Sequence, residues 1–425
     1  MPVCYFNAEY DTKYNCDYEI KDGTIEIVVE YDIMDEVEAV NGVRTYGVNT
    51  RFENRDILII DSHGKKNYLV KQAFWAGSNE LFGTPDSGAQ TKFRAHTYFE
   101  HGNIDELVDL PVTPKVNRIK VFSKSIIDWI GCPSLEIIKS ENCYTIKLSK
   151  EYEGSSITLN SNYIKQISVS DNWSSVRNRK DNNITVDFTG YIELELTRRV
   201  NYDKVPEFVN ELLIFMQLYS PDRFCIDTIY VMVNGTYFVL NIPSMEVKYT
   251  DKYVEKTVND NLLDFLKKCY ARIPYRNSKT EIRNIPYIIL KTSRSVEDSF
   301  LMFYRFIECY YKKETPEARR KFISFGINEH YINKHSLSED QIEKYTQEII
   351  SLRNHYVHGG YYIKNSSLRV SFDKIGRRKN PKDYTANNVD IHWIYDRTKI
   401  LYHIVIDIIF RNMLGYSEYR FTKHF

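Results

Sequence analysis

The chain has 425 residues, which is enough for two or three domains with separate cores. Its 57 basic residues balance 57 acidic ones, so any RNA-binding surface would have to be a local patch. Seven dispersed cysteines without a C-x-x-C pair indicate reduced thiols and exclude a disulfide framework or a cysteine zinc site.

We expect neither a signal peptide nor a membrane-spanning segment in this sequence. The N-terminal segment contains acids and lacks an apolar core, so it does not resemble a signal peptide. The apolar run from Ile400 to Phe410 contains His403 and Asp407 and is too short and too polar to span a bilayer. We therefore expect a cytoplasmic protein without a membrane partner.

Residues 1–250 have the pattern of a β-rich domain. Segments that alternate apolar and polar residues recur between turn sequences, and they predict strands at 23–33, 56–60, 118–122, 135–138, 144–148 and 191–196. Residues 123–130 are a short helical exception, and residues 206–218 have helical spacing after Pro206. Asn234-Gly235 between two apolar runs predicts a hairpin. We expect the helix and hairpin to complete an antiparallel sandwich or barrel-like domain.

Residues 258–425 have the pattern of an all-α domain, after a polar connector at 247–259. The predicted helices cover 261–270, 295–313, a segment that restarts at Thr315-Pro316, a segment from about 338 to 358, and 387–414. Ser338 to Gln341 fits a capping box that begins the fourth helix, and Gly359-Gly360 ends it. The whole chain is therefore predicted to be α+β.

The end of that fourth helix carries the candidate site. Asn354 and His358 are four residues apart and share a helical face, whereas Arg353 lies roughly 140° around the axis from His358. A guanidinium, an amide and an imidazole can together bind a phosphate, orient a hydroxyl and move a proton. The alternative is structural, with the three side chains hydrogen-bonding loop carbonyls at a helix end.

The string Leu352-Arg-Asn-His-Tyr-Val-His-Gly359 resembles the signature of the HEPN superfamily, which is Arg, a polar residue, a few variable residues and His. The resemblance is closest to the ApeA-like group, in which Glu308 within FYRFIECYY aligns with a buried acid. The stretches SIIDWIG and VPEFVNELLIFMQL are also similar to the ApeA-like N-terminal domain.

The resemblance implies a metal-independent endoribonuclease of abortive antiphage defence that needs no cofactor. The RNA 2′-hydroxyl would attack the adjacent phosphate and leave a 2′,3′-cyclic phosphate. His358 would exchange protons, Arg353 would stabilise the phosphate charge, and Asn354 would orient His358 or the phosphate. HEPN sites are generally composite across a dimer, so the implied partners are RNA, a second copy of the chain and a phage-derived trigger.

Several further residues have open interpretations. His355 is either a bystander or an additional phosphate contact, and with no carboxylate or third His nearby in sequence it does not predict a metal site with His358. Glu308 is expected to be structural, with Arg353 as its partner across the helices. A basic run is either a solvated loop or an RNA-backbone contact. Its cations are Lys374, Arg377, Arg378, Lys379 and Lys382.

The N-terminal domain has no catalytic motif, since Ser62-His63-Gly64 is not a nucleophile elbow and residues 83–88 are not a P-loop. By elimination we interpret it as a sensor or regulatory module. A rival hypothesis is a catalytically silent HEPN-type bundle that serves as a dimerisation or nucleotide-binding adaptor. A carbohydrate- or peptide-binding β-sandwich with a helical tail ranks last, because it leaves the Arg-Asn-His string unexplained.

Overall fold

The structure is a computed structural model of the chain. It describes residues 2–6, 12–29, 34–40, 43–48, 55–61, 66–79, 90–130, 135–139, 144–148, 155–159, 161–178, 183–220, 226–242, 256–273, 295–314, 317–331, 337–358 and 391–421. The chain divides into two compact units. The first comprises Met1–Asn210 and Phe224–Lys248, and the second comprises Glu211–Arg223 and Tyr249–Phe425.

The first unit is β-rich, as expected. Its strands are β1 (Val3–Phe6), β2 (Lys13–Lys21), β3 (Thr24–Val29), β4 (Met34–Val40), β5 (Val43–Val48), β6 (Arg55–Asp61), β7 (Lys66–Asn79), β8 (Gln90–Ala95), β9 (Thr97–His101), β10 (Lys115–Ser123), β11 (Leu135–Lys139), β12 (Tyr144–Leu148), β13 (Ser155–Thr158), β14 (Ile164–Asn178), β15 (Asn183–Asn201), β16 (Thr228–Val233) and β17 (Thr236–Asn241).

Six strands close into an antiparallel barrel. β1 pairs with β2 and β6, β3 pairs with β2 and β8, and β7 pairs with β6 and β8, which leaves no free edge in this ring. Inward residues alternate along the strands, so that Ile25, Ile27 and Val29 of β3 are each 0% exposed. These residues pack with Cys4, Cys16 and other apolar side chains into one core. The predicted α+β class and the barrel-like N-terminal part are confirmed.

The barrel continues into a larger sheet because β7 is long. Its first half pairs with β9 and its second half with β8. From β9 the sheet passes through β17, β16, β10, β15 and β14 to β13, giving 13 strands in one antiparallel order. The predicted hairpin is β16–β17, and its turn residues Asn234 and Gly235 have φ of 51° and 99°. Such positive φ angles are what a two-residue hairpin turn requires.

The helices are α1 (Ile104–Val108), α2 (Lys124–Ile130), α3 (Val205–Tyr219), α4 (Leu262–Arg272), α5 (Val296–Glu314), α6 (Ala318–His330), α7 (Glu339–His358) and α8 (Ile391–Asp407), which continues as a π-helical segment (Ile408–Met413). Among the residues that the structure describes, every regular element after Tyr249 is helical. None of these helices has the length and apolar character needed to cross a membrane.

Side-chain caps explain where two of these helices begin. At the start of α7 the Ser338 amide donates to Gln341 Oε1 at 2.9 Å, and the Gln341 amide donates to Ser338 Oγ at 3.3 Å. This is the predicted capping box, which satisfies two backbone donors that the first turn leaves open. Asn261 caps α4 by accepting from the Asp264 amide at 2.9 Å. The predicted restart at Thr315-Pro316 lies outside the described residues.

Helix α3 differs from the prediction that it belongs wholly to the β-rich domain. The unit boundary falls inside it, at Asn210/Glu211, and its C-terminal part clusters with the helical unit. Phe215 packs edge-on against Tyr270 with 4.8 Å between ring centroids, and Tyr219 lies 5.1 Å from Phe265. These partners lie far apart in the sequence. Helical periodicity identifies the apolar face of α3 but does not show which residues cover it, so this packing could not be predicted.

Candidate active site

The candidate site lies in the last turns of α7. The backbone of Arg353, Asn354, His355 and His358 is helical, so Asn354 and His358 do share a face of this helix. Leu352 is fully buried and Arg353 is half-buried. The side chains of Asn354, His355 and His358 lie outside the described ones, as do Gly359-Gly360 and the basic run from Lys374 to Lys382.

Arg353 is held against an aromatic ring of α5. Its guanidinium carbon lies 5.8 Å from the centroid of the Tyr304 ring, within the range of a cation–π contact. Burial raises the pKa of Tyr304 to about 12; Arg353 opposes this rise and Glu308 adds to it. The Tyr304 hydroxyl is therefore protonated at neutral pH, and the ring face stabilises the Arg353 cation.

Glu308 is half-buried on α5, one helical turn after Tyr304, but the partner that we expected is not the one it has. Its Oε1 forms an ion pair with Lys312 Nζ at 2.7 Å, one turn further along the same helix. Arg353 and Glu308 are both close enough to Tyr304 to affect the pKa of its hydroxyl, but the ion pair of Glu308 is with Lys312. An i,i+4 pair needs no tertiary closure, so Lys312 is the readily available cation.

Two buried polar pairs in the helical unit were missed by sequence reasoning. Arg397 of α8 pairs with Glu348 of α7 through two nitrogens, Nε and a terminal nitrogen, each 2.6 Å from Glu348 Oε2. His330 Nδ1 lies 2.7 Å from Asp407 Oδ2, and the Tyr419 hydroxyl donates to Asp407 Oδ1 at 2.6 Å. The available signal was an acid within a run of isoleucines, since such a group requires a buried partner.

The described part of the chain contains no group of three or more His, Cys, Asp or Glu side chains placed to hold a metal ion. Comparison of the chain with protein-family models, with curated proteins and with solved structures found no match. The functional interpretation therefore depends on the residues themselves.

Proposed function

We propose that this protein is a metal-independent endoribonuclease of the HEPN type. The observation that carries the proposal is the position of the Arg353-Asn354…His358 string. It occupies the last turns of α7, with Leu352 buried before it and the Arg353 guanidinium held against Tyr304. In this proposal the helical unit that contains α7 is a HEPN bundle spanning residues 258–425, and the β-rich unit is its sensor or regulator.

The proposed reaction is an intramolecular transesterification of the RNA backbone, in which a bond from phosphorus to the 2′-oxygen replaces the bond from phosphorus to the 5′-oxygen. The 2′-hydroxyl oxygen forms a bond to the adjacent phosphorus as a base removes its proton, and the bond from phosphorus to the 5′-oxygen breaks as that oxygen gains a proton. His358 has an imidazole suited to either proton transfer near neutral pH. Arg353 stabilises the charge on the phosphate oxygens, and Asn354 orients the histidine or the phosphate. A second chain facing the first supplies a second histidine, so that one acts as base and one as acid.

The decisive experiment incubates the purified protein with total RNA and analyses the new ends. We expect 2′,3′-cyclic phosphates and 5′-hydroxyls, with cleavage abolished by Arg353→Ala and by His358→Ala. EDTA is expected to leave cleavage intact. The matched control is Arg305→Ala, at an exposed arginine of α5. This control should retain most of the activity.

Two results would refute this mechanism: cleavage that survives both motif substitutions, or cleavage that EDTA removes. A wild-type protein that cleaves no RNA but dimerises or binds nucleotide would instead support the adaptor hypothesis. We also propose a role in abortive antiphage defence. In that case cells carrying the wild-type chain should reduce phage plating and cells carrying His358→Ala should not.

A further inference from the structure

Arg397 and Glu348 form a buried ion pair between α8 and α7. Two nitrogens of the guanidinium, Nε and a terminal nitrogen, each lie 2.6 Å from the same carboxylate oxygen. The side chains are only 10% and 7% exposed, so water screens the pair little. The guanidinium carbon of Arg397 also lies 4.7 Å from the Tyr345 ring centroid. Tyr345 and Glu348 are three residues apart on α7, so Arg397 contacts two side chains on the same face of that helix.

This face of α7 is turned away from Arg353. Glu348 precedes Arg353 by five residues, which corresponds to about 7.5 Å along the axis and about 140° around it. On its own side, Arg353 contacts Tyr304 of α5. Helix α7 is therefore held by a directional contact to α8 on one side and by a directional contact to α5 on the other.

Directional contacts constrain a helix in ways that apolar packing does not. Ile349 and Leu352 are both fully buried on α7, but the hydrophobic effect that favours their burial is non-directional and therefore depends less steeply on a small rotation or axial shift. Two nitrogens on one carboxylate oxygen lose their geometry with such a shift, and a buried charge that loses its partner is strongly disfavoured. The pair thus favours one axial and rotational position of α7 over neighbouring positions.

We propose that Arg397 and Glu348 are positioning residues, which set the axial and rotational position of α7 and so present Arg353 and His358 to the RNA phosphate. The catalytic part of this inference rests on the proposed ribonuclease function. A displacement of about 1 Å in a catalytic group can reduce a rate about 100-fold, so loss of the pair should act on kcat.

The test uses full-length variants: Glu348→Gln, Arg397→Lys, and a double variant, Glu348→Leu with Arg397→Met. The double variant is expected to fold, because apolar residues of similar volume commonly replace a buried ion pair without loss of stability. For Glu348→Gln and the double variant we expect kcat for RNA cleavage to fall about 10- to 100-fold with KM within about twofold. Arg397→Lys keeps the positive charge but loses one of the two nitrogens that contact Glu348, so it should give an intermediate kcat.

A second measurement does not depend on catalysis. Amide hydrogen exchange should become faster by about tenfold in peptides covering residues 349–358 of the double variant, and it should stay unchanged in α4. The matched control is Glu343→Gln, the same substitution at an exposed position of α7 whose side chain contacts Gln347. This control should change neither kcat nor exchange.

The outcomes separate this inference from the proposed function. If the wild-type protein cleaves RNA and the folded double variant cleaves it with unchanged kcat, the proposed positioning role is wrong, and the proposed ribonuclease function is unaffected. If the wild-type protein cleaves no RNA, the ribonuclease proposal fails, and the exchange measurement alone decides whether the pair positions α7. Equal effects of Glu343→Gln and Glu348→Gln would also overturn the inference, because the effect would then follow net charge rather than the pair.

Discussion

The Nδ1 atom of His330 lies 2.7 Å from Oδ2 of Asp407, and both side chains are almost completely buried. Tyr419 donates to the other carboxylate oxygen, and Arg411 Nε lies 3.3 Å from that same oxygen. Burial opposes ionisation of Asp407, but these hydrogen bonds and the Arg411 charge outweigh it and leave the pKa of the carboxyl below its usual range. The carboxylate thus ties the end of α6 to α8 and to the segment that follows.

Replacing Asp407 by Asn should destabilise the helical unit in a pH-dependent way. Because the folded pKa is below the unfolded value of about 3.9, the stabilisation is complete above that pH and is lost as the pH falls through the folded pKa. Breaking a buried pair costs about 3–5 kcal/mol, so we expect a difference of that size at pH 7 that shrinks below about pH 4. Chemical denaturation of both proteins across this range measures it. Asp396→Asn, at an exposed residue of α8, serves as the control, and a pH-independent difference would contradict the assignment.

Tyr304 offers a test of how Arg353 is held. Its ring lies 5.8 Å from the guanidinium carbon, and such contacts contribute about 0.5–1 kcal/mol. Tyr304→Leu should therefore lower kcat/KM for RNA cleavage by about two- to fivefold, whereas Tyr304→Phe keeps the ring and should leave it unchanged. Steady-state kinetics on both variants distinguish the ring from the hydroxyl. Equal losses in the two variants would instead assign the effect to the hydroxyl.

Phe215 tests whether the C-terminal part of α3 supports the helical unit. Its ring is fully buried and packs against Tyr270, so Phe215→Ala should lower the free energy of unfolding by about 3–5 kcal/mol. Denaturation followed by the helical circular dichroism signal measures this loss. The same substitution at Phe74, whose side chain is 40% exposed, should cost less than about 1 kcal/mol. Comparable losses at the two positions would argue against the packing role.

Gly235 tests the turn that joins β16 and β17. With φ at 99°, an alanine there would be strained although nothing lies within 4 Å of its Cβ, and we expect Gly235→Ala to cost about 1–2 kcal/mol. Gly102 has equally open surroundings and no positive φ, so Gly102→Ala isolates the backbone effect and should be near neutral. Melting temperatures of the two variants give the comparison. A neutral Gly235→Ala would mean that the hairpin tolerates another turn.

Local patterns predicted many elements, for reasons confined to neighbouring residues. The capping box at Ser338, the Asn234-Gly235 turn and the alternation in β3 each depend on hydrogen bonds or side-chain directions within a few positions. Strands β1, β2, β4, β5, β7, β8, β9, β13 and β14 were not predicted. Several of them pair with strands far along the chain, such as β1 with β6 and β8 with β3, and a local pattern does not show such partners.

The sequence by itself determined the Arg353-Asn354…His358 string and its place at the end of a helix, because helical period and glycine stops are local properties. Only the tertiary structure decided which groups surround it. Arg353 meets Tyr304 instead of Glu308, and Glu348 meets Arg397 at a separation of 49 residues. A charged residue within an apolar stretch of sequence indicates that its charge needs a partner once it is buried. The packing of the helices then determines which residue that partner is.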